Sequence, residues 1–139
     1  MKKLFIILAV LLLASYAMAA NTTTLGYGTI KIVPDGTADW TWNTDSKVVA
    51  AFPTGSKALQ NGLKVYSIQF NPSAADDIMI IHNGGINAIE VFNSGPAGGT
   101  APIIKYFPQG KRIKLVMDAS DCTWTTAASS SIYIEYEAE

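Results

Sequence analysis

Short apolar runs separated by turn-forming residues make up most of the sequence from residue 29 onwards. In several runs apolar and polar positions alternate, which is the two-residue period of a strand with one buried face. No stretch beyond the N-terminal segment shows an apolar stripe of helical period over three turns. The pattern predicts seven or eight strands, at residues 29–33, 48–52, 63–70, 78–81, 89–92, 103–107, 113–117 and 131–137, with a short alternating piece at 40–42.

Alternation within single strands also predicts which side chains share a face. In the longest predicted strand, Tyr66, Ile68 and Phe70 should lie on one face. Residues 78–81 are apolar at every position, which is typical of a central strand buried on both faces. The Asn-Gly-Gly sequence at residues 83–85 should end that strand in a sharp turn.

Proline and glycine at residues 108–110 predict a turn between two neighbouring strands. Residues 103–107 and 113–117 would then form a hairpin, with Lys111 and Arg112 as its basic tip.

Strands of this number and length close most naturally into two packed sheets. We therefore predict a single all-β domain, an antiparallel, jelly-roll-like β-sandwich, over residues 29–139. The polar residues 20–28 would precede it as a flexible N-terminal arm.

The N-terminal segment has the three parts of a secretory signal peptide. Lys2 and Lys3 form its positive start, residues 4–13 are an unbroken apolar run, and residues 17–19 supply the Ala-Met-Ala cleavage pattern. We expect signal peptidase to remove residues 1–19, which leaves 120 of the 139 residues in the periplasm or outside the cell. An uncleaved membrane anchor or a buried N-terminal helix is the alternative, although a membrane span needs about 20 apolar residues.

The charge balance bears on the class of partner. Two of the ten basic residues lie in the predicted signal, so eight remain against eleven acidic residues, a net charge of about −3. Such a chain lacks the basic surface that neutralises phosphates, and we expect no nucleic-acid partner. No apolar run after the cleavage point is long enough to span a bilayer, so we expect no membrane attachment after cleavage.

Residue types suited to nucleophilic or metal chemistry are scarce. His82 is the single histidine and Cys122 the single cysteine, so an internal disulfide is impossible and a structural zinc site would lack its usual ligands. Neither residue has partners at a recognisable triad spacing. We predict a non-enzymatic protein without a cofactor, in which His82 ends a strand and Cys122 is a small buried apolar residue.

Two pairs of carboxylates in predicted turns are the candidates for a calcium site, namely Asp76 with Asp77 and Asp118 with Asp121. Paired carboxylates also serve as acid and base in glycosidases. Aspartate is common in turns for a structural reason too, because its side chain accepts hydrogen bonds from nearby backbone N–H groups. No calcium-loop motif of the EF-hand type surrounds either pair.

Trp40, Trp42 and Trp124 are candidates for a ligand-binding or interface surface. Exposed indoles can stack on sugar rings, whereas packing in a core or interface is their commoner role. These residues motivate the alternative function that we consider, a secreted carbohydrate-binding module.

Three stretches of the chain, at residues 70–84, 104–107 and 118–123, read FNPSAADDIMIIHNG, IKYF and DASDCT. Together they resemble a group of small β-proteins, encoded in phage, prophage and metagenomic sequences, that look like virion accessory or decoration proteins. The resemblance covers roughly residues 63–137. Its motifs are strand ends and turns, so it implies a β fold and a structural role and transfers no catalytic residue. The predicted signal peptide departs from this group, because most virion proteins assemble in the cytoplasm.

Together these observations favour an exported structural or assembly protein. Such a protein would bind copies of itself or another protein, and coat a larger scaffold through a surface of the sandwich. The arm at residues 20–28 could pair with the sheet edge of a neighbour.

Overall fold

The computed structural model describes residues 20–84 and 88–137, which form two antiparallel sheets packed as a sandwich. The predicted all-β class is therefore confirmed. The predicted signal at residues 1–19, Gly85 of the predicted turn and the last two residues lie outside the described part. Within residues 20–84 and 88–137, no helix is long and apolar enough to cross a membrane.

The strands follow the predicted periodicity over most of their length. In chain order they are β1 (Thr22–Gly26), β2 (Thr29–Val33), β3 (Trp40–Thr41), β4 (Leu63–Asn71), β5 (Ile80–Asn83), β6 (Ile89–Asn93), β7 (Ile103–Ile113), β8 (Leu115–Met117) and β9 (Ser131–Glu137). The short helices are α1 (Ser46–Ala51) and α2 (Lys57–Asn61), and two 3-10 turns lie at Ala119–Asp121 and Ala127–Ser129.

The strand pairs are nested one inside another. β5 pairs with β6, β4 with β7, β3 with β8 and β2 with β9, all antiparallel. Successive nested pairs alternate between the two sheets, whose orders are β1-β2-β9-β4-β7 and β3-β8-β5-β6. This winding of one long hairpin across two sheets is the topology of a jelly roll. The finer prediction of a jelly-roll-like sandwich is thus confirmed, with β1 added at one edge.

The core lies between the two sheets and is built from the apolar positions of the alternating strands. On β2 and β9, Ile30 faces Ile134 and Ile32 faces Ile132, and all four side chains are fully buried. Cross-strand pairs of β-branched residues favour such pairing. The opposite sheet contributes the buried side chains of Ile81, Val91, Phe92, Leu115 and Met117.

Residues 48–52 form most of α1 and its end, so the strand predicted there is wrong. The carboxylate of Asp45 accepts hydrogen bonds from the backbone amides of Lys47 (2.9 Å) and Val48 (3.1 Å), which caps the helix. This cap outweighs the strand preference of the two valines.

The hairpin predicted through residues 108–110 is also wrong. β7 runs without a turn from Ile103 to Ile113, and β8 belongs to the other sheet. Residues 108–110 instead form part of a bulge, because Val65 pairs with Lys111 whereas Ser67 already pairs with Tyr106. β4 is irregular at the same point against β9.

The bulge changes which β4 side chains face the core. Val65 is buried before it, and Ile68 and Phe70 are buried after it, so the inward positions shift by one residue. Tyr66 therefore does not share a face with Ile68 and Phe70, contrary to the prediction. Its phenol ring lies at the solvent side of the five-stranded sheet, beside Glu137.

Two further segments differ from the predictions. Within residues 78–81 only Met79 and Ile81 are buried, because the sandwich covers one face of each sheet. Of residues 20–28, predicted as a flexible arm, Thr22–Gly26 is the edge strand β1 and pairs with β2 of the same chain. Three consecutive β-branched threonines favour this strand.

Candidate functional site

A groove open to solvent lies on the outer face of the five-stranded sheet, where the β1–β2 turn meets β9 and β4. Its volume is about 370 Å³, within the range of about 300–1,000 Å³ that small-molecule sites occupy. It is lined by Tyr27, Gly28, Thr29, Tyr66, Glu135, Tyr136 and Glu137. Because the side chain of Tyr136 is buried, the rings available to a ligand are those of Tyr27 and Tyr66.

Glu137 lies at the centre of a polar cluster on one wall. Its Oε2 accepts hydrogen bonds of 2.5 Å from Lys64 Nζ and 2.5 Å from the hydroxyl of Tyr66. The same ammonium group is 5.5 Å from the centroid of the Tyr66 ring. The bond to Glu137 raises the pKa of Lys64, and the bonds from Lys64 and Tyr66 lower the pKa of Glu137. At neutral pH the pair is therefore an ammonium and a carboxylate.

An exposed ring and a second carboxylate complete the lining of the groove. Tyr27 is fully exposed at the tip of the β1–β2 turn. Glu135 is exposed on β9, where its Oε2 accepts a hydrogen bond of 3.1 Å from the hydroxyl of Ser67. The groove thus combines aromatic rings with acceptors that neighbouring side chains hold in place.

The three tryptophans do not form an exposed aromatic surface. Trp40 and Trp42 are 3% and 5% exposed. The indole N–H of Trp40 donates to Asp45 and Thr23, and that of Trp42 donates to the carbonyl of Ala58. Trp124 is half-buried and packs edge-on against Phe70.

The structure does not bring the four calcium candidates into one cluster. The Oδ2 atom of the fully buried Asp77 accepts hydrogen bonds from Ser73, Ala74 and Ser130, whereas Asp76 is exposed. Among residues 20–84 and 88–137, no group of three or more His, Cys, Asp or Glu side chains could hold a metal ion.

Asp118 caps the 3-10 turn Ala119–Asp121, and Asp121 is the last residue of that turn. The carboxylate of Asp118 accepts from the backbone amide and hydroxyl of Ser120, and these bonds lower its pKa. Asp121 Oδ2 lies 2.9 Å from Nε2 of the buried His82, whose Nδ1 lies 3.1 Å from the carbonyl oxygen of Ala88. Both ring nitrogens of His82 therefore have partners within the fold.

Cys122 is half-buried and packs against the core. Burial raises the pKa of its thiol to about 11, so at neutral pH the sulfur is protonated and a poor nucleophile.

The groove residues were absent from the sequence-based candidates. Alternation in β9 places Glu135 and Glu137 on one wet face, so the sequence contained a signal for both carboxylates. Tyr66 could not be assigned to that face, because the irregularity that turns it outward depends on the pairing of β4 with β9 and β7.

No protein-family model, curated protein or solved structure matches the chain.

Proposed function

We propose that this chain is an exported, non-enzymatic structural protein that associates with itself or coats a larger scaffold, in the manner of a virion decoration protein. The observation that supports this most directly is an exposed apolar pair on an open sheet edge.

That edge is β7, one of the two outer strands of the five-stranded sheet. Ile104 is 41% exposed and Tyr106 is 67% exposed, and their pairing with Gln69 and Ser67 puts both on the outer face. An edge strand offers unpaired backbone donors and acceptors to a second chain. Pro108 and the bulge interrupt β7, so the stretch suited to pairing is its first half, from Ile103 to Tyr106.

Export is proposed from the N-terminal segment, with the periplasm or the cell exterior as the destination. Every described strand begins at or after Thr22, so cleavage after Ala19 would leave the sandwich intact. The jelly roll is compatible with a decoration role, because it builds viral capsid proteins, but it also builds lectins and so does not select between the two functions.

A non-enzymatic role is supported by how the reactive side chains are used. The Cys122 thiol is protonated at neutral pH, both ring nitrogens of His82 have partners, and Asp77 and Asp118 stabilise turns.

Light scattering coupled to size-exclusion chromatography, over a wide range of concentrations, tests the proposal. We expect association that Ile104→Lys and Tyr106→Lys weaken. The matched control is Val49→Lys, since Val49 is 41% exposed, as Ile104 is, but lies on helix α1 and not on an edge strand. A chain that stays monomeric at all concentrations, and binds no virion or envelope fraction, contradicts the assembly role.

The carbohydrate-binding alternative no longer has support from Trp40 and Trp42, which are buried. The groove between Tyr27 and Tyr66 is a different observation in favour of it.

A further inference from the structure

We propose that the groove between Tyr27 and Tyr66 is a binding site for a neutral glycan. This site is separate from the β7 edge, so it goes beyond the assembly role and can be tested independently of it.

A neutral sugar ring presents an apolar C–H face and a rim of hydroxyl groups. The fully exposed ring of Tyr27 can pack against such a face, because aromatic rings bury apolar area while their hydroxyl groups remain solvated. Glu135 and Glu137 are exposed carboxylates that can accept hydrogen bonds from the rim. The groove thus matches both surfaces of a sugar.

The polar wall is held in position before any ligand arrives. Lys64 and Tyr66 fix Glu137, and Ser67 fixes Glu135. Preorganised groups lower the entropy cost of binding.

In the β7 bulge, Gly110 packs closely against Lys64 and Tyr66 of this wall. A Cβ atom at Gly110 would lie 2.9 Å from Cε of Lys64 and 3.0 Å from Cε1 of Tyr66, and Gly110 has a φ of 69°. Tyr66 is the extra residue of β4 in its pairing with β9, which turns its ring outward, and the β7 bulge packs against that ring.

Charge and shape favour a neutral ligand over an ionic one. With Lys64 paired to Glu137, the groove keeps the negative charge of Glu135, which disfavours an anion such as a phosphate or an acidic polysaccharide. Lys64 already neutralises Glu137, and an open groove leaves a bound cation hydrated, which weakens its attraction to aromatic rings.

The test uses protein expressed from the full-length sequence, first on an array of neutral glycans and then by calorimetry with the hexasaccharides of cellulose, chitin and starch. We expect saturable binding to at least one glycan. Tyr27→Ala should weaken it about tenfold, the size of one aromatic contact. Glu135→Gln should weaken it as well, whereas Tyr106→Ala, an exposed tyrosine outside the groove, should not.

Because Tyr27 is fully exposed in a turn, Tyr27→Ala should keep the fold, and circular dichroism verifies this. An array without any binding overturns the proposal. Glycan binding that Tyr27→Ala and Glu135→Gln leave unchanged also overturns it. So does a result in which choline chloride, a probe for a cation site, binds and no glycan does. A chain that stays monomeric at all concentrations contradicts the assembly role and leaves this prediction intact, so the two proposals fail separately.

Discussion

The hydroxyl group of Ser130 donates a hydrogen bond of 3.1 Å to Oδ2 of Asp77, although 53 residues separate them in the chain. The same carboxylate accepts from the backbone amides of Ser73, Ala74 and Thr125 and from the hydroxyl of Ser73. Asp77 is fully buried. It therefore joins the loop before β5 to the segment before β9, and does so as a structural anion.

We expect Asp77→Asn to lower the free energy of unfolding by about 2–4 kcal/mol. The NH₂ group of the asparagine would replace a carboxylate oxygen, so the N–H and O–H groups that now donate to that oxygen would lose their acceptor. Urea denaturation followed by circular dichroism measures this. Asp76→Asn is the matched control, since Asp76 is exposed, and should change stability by less than about 0.5 kcal/mol. Equal effects at the two positions would show that the network contributes little.

The carboxylate of Asp77 should make the free energy of unfolding depend on pH. Burial raises the pKa of Asp77, but the hydrogen bonds from Ser73, Thr125 and Ala74 outweigh it and hold the pKa well below its usual range. A carboxyl group with a depressed pKa stabilises the fold above its unfolded pKa of about 3.9 and loses that contribution as the pH falls further.

We therefore expect the free energy of unfolding to fall as the pH is lowered from about 5 to about 2. Urea titrations at a series of pH values should show a shallower fall for Asp77→Asn than for the wild type. Parallel curves for the two proteins would contradict the assignment.

The sandwich could be predicted from the sequence because burial of one strand face is a local pattern. Residues 29–33 and 131–137 form strands as predicted, and 63–70 is extended by one residue. The error at 48–52 arose where two local preferences compete, the strand preference of valine and the helix cap at Asp45.

The remaining errors concern contacts between distant segments. Whether residues 108–110 turn the chain or bulge within a strand depends on their partner, β4, which no local pattern reveals. The position of Tyr66 follows from the irregular pairing of β4 with both β9 and β7, so this part of the groove could not be inferred before the pairing was known.

Asp45 links the cap of α1 to the core. Its Oδ1 caps the helix, and its Oδ2 accepts from the indole of Trp40 at 2.9 Å and from the hydroxyl of Thr23. We expect Asp45→Ala to cost about 2–3 kcal/mol in denaturant unfolding. Asp45→Asn, which retains a capping oxygen, should cost less. If the two substitutions cost the same, the cap contributes nothing to stability.

Cys122 should react slowly while the protein is folded. With a thiol pKa of about 11, only a small fraction is thiolate at pH 8, and reaction with a disulfide reagent should be about a hundredfold slower than in the unfolded chain. Absorbance of the released thiol, with and without guanidinium chloride, measures both rates. Similar rates in the two conditions would mean that the sulfur is not protected by burial.

Gly110 should be intolerant of a side chain because of what lies beside it. A Cβ atom there would approach Lys64 and Tyr66 to 2.9–3.0 Å, and the positive φ adds backbone strain. We expect Gly110→Ala to lower the free energy of unfolding by about 1–3 kcal/mol. Gly98→Ala is the matched control, since Gly98 has a φ of 66° but no atom within 4 Å of the added Cβ. The difference between the two variants isolates the close approach to the side chains of Lys64 and Tyr66. Equal losses would show that these side chains move aside without cost.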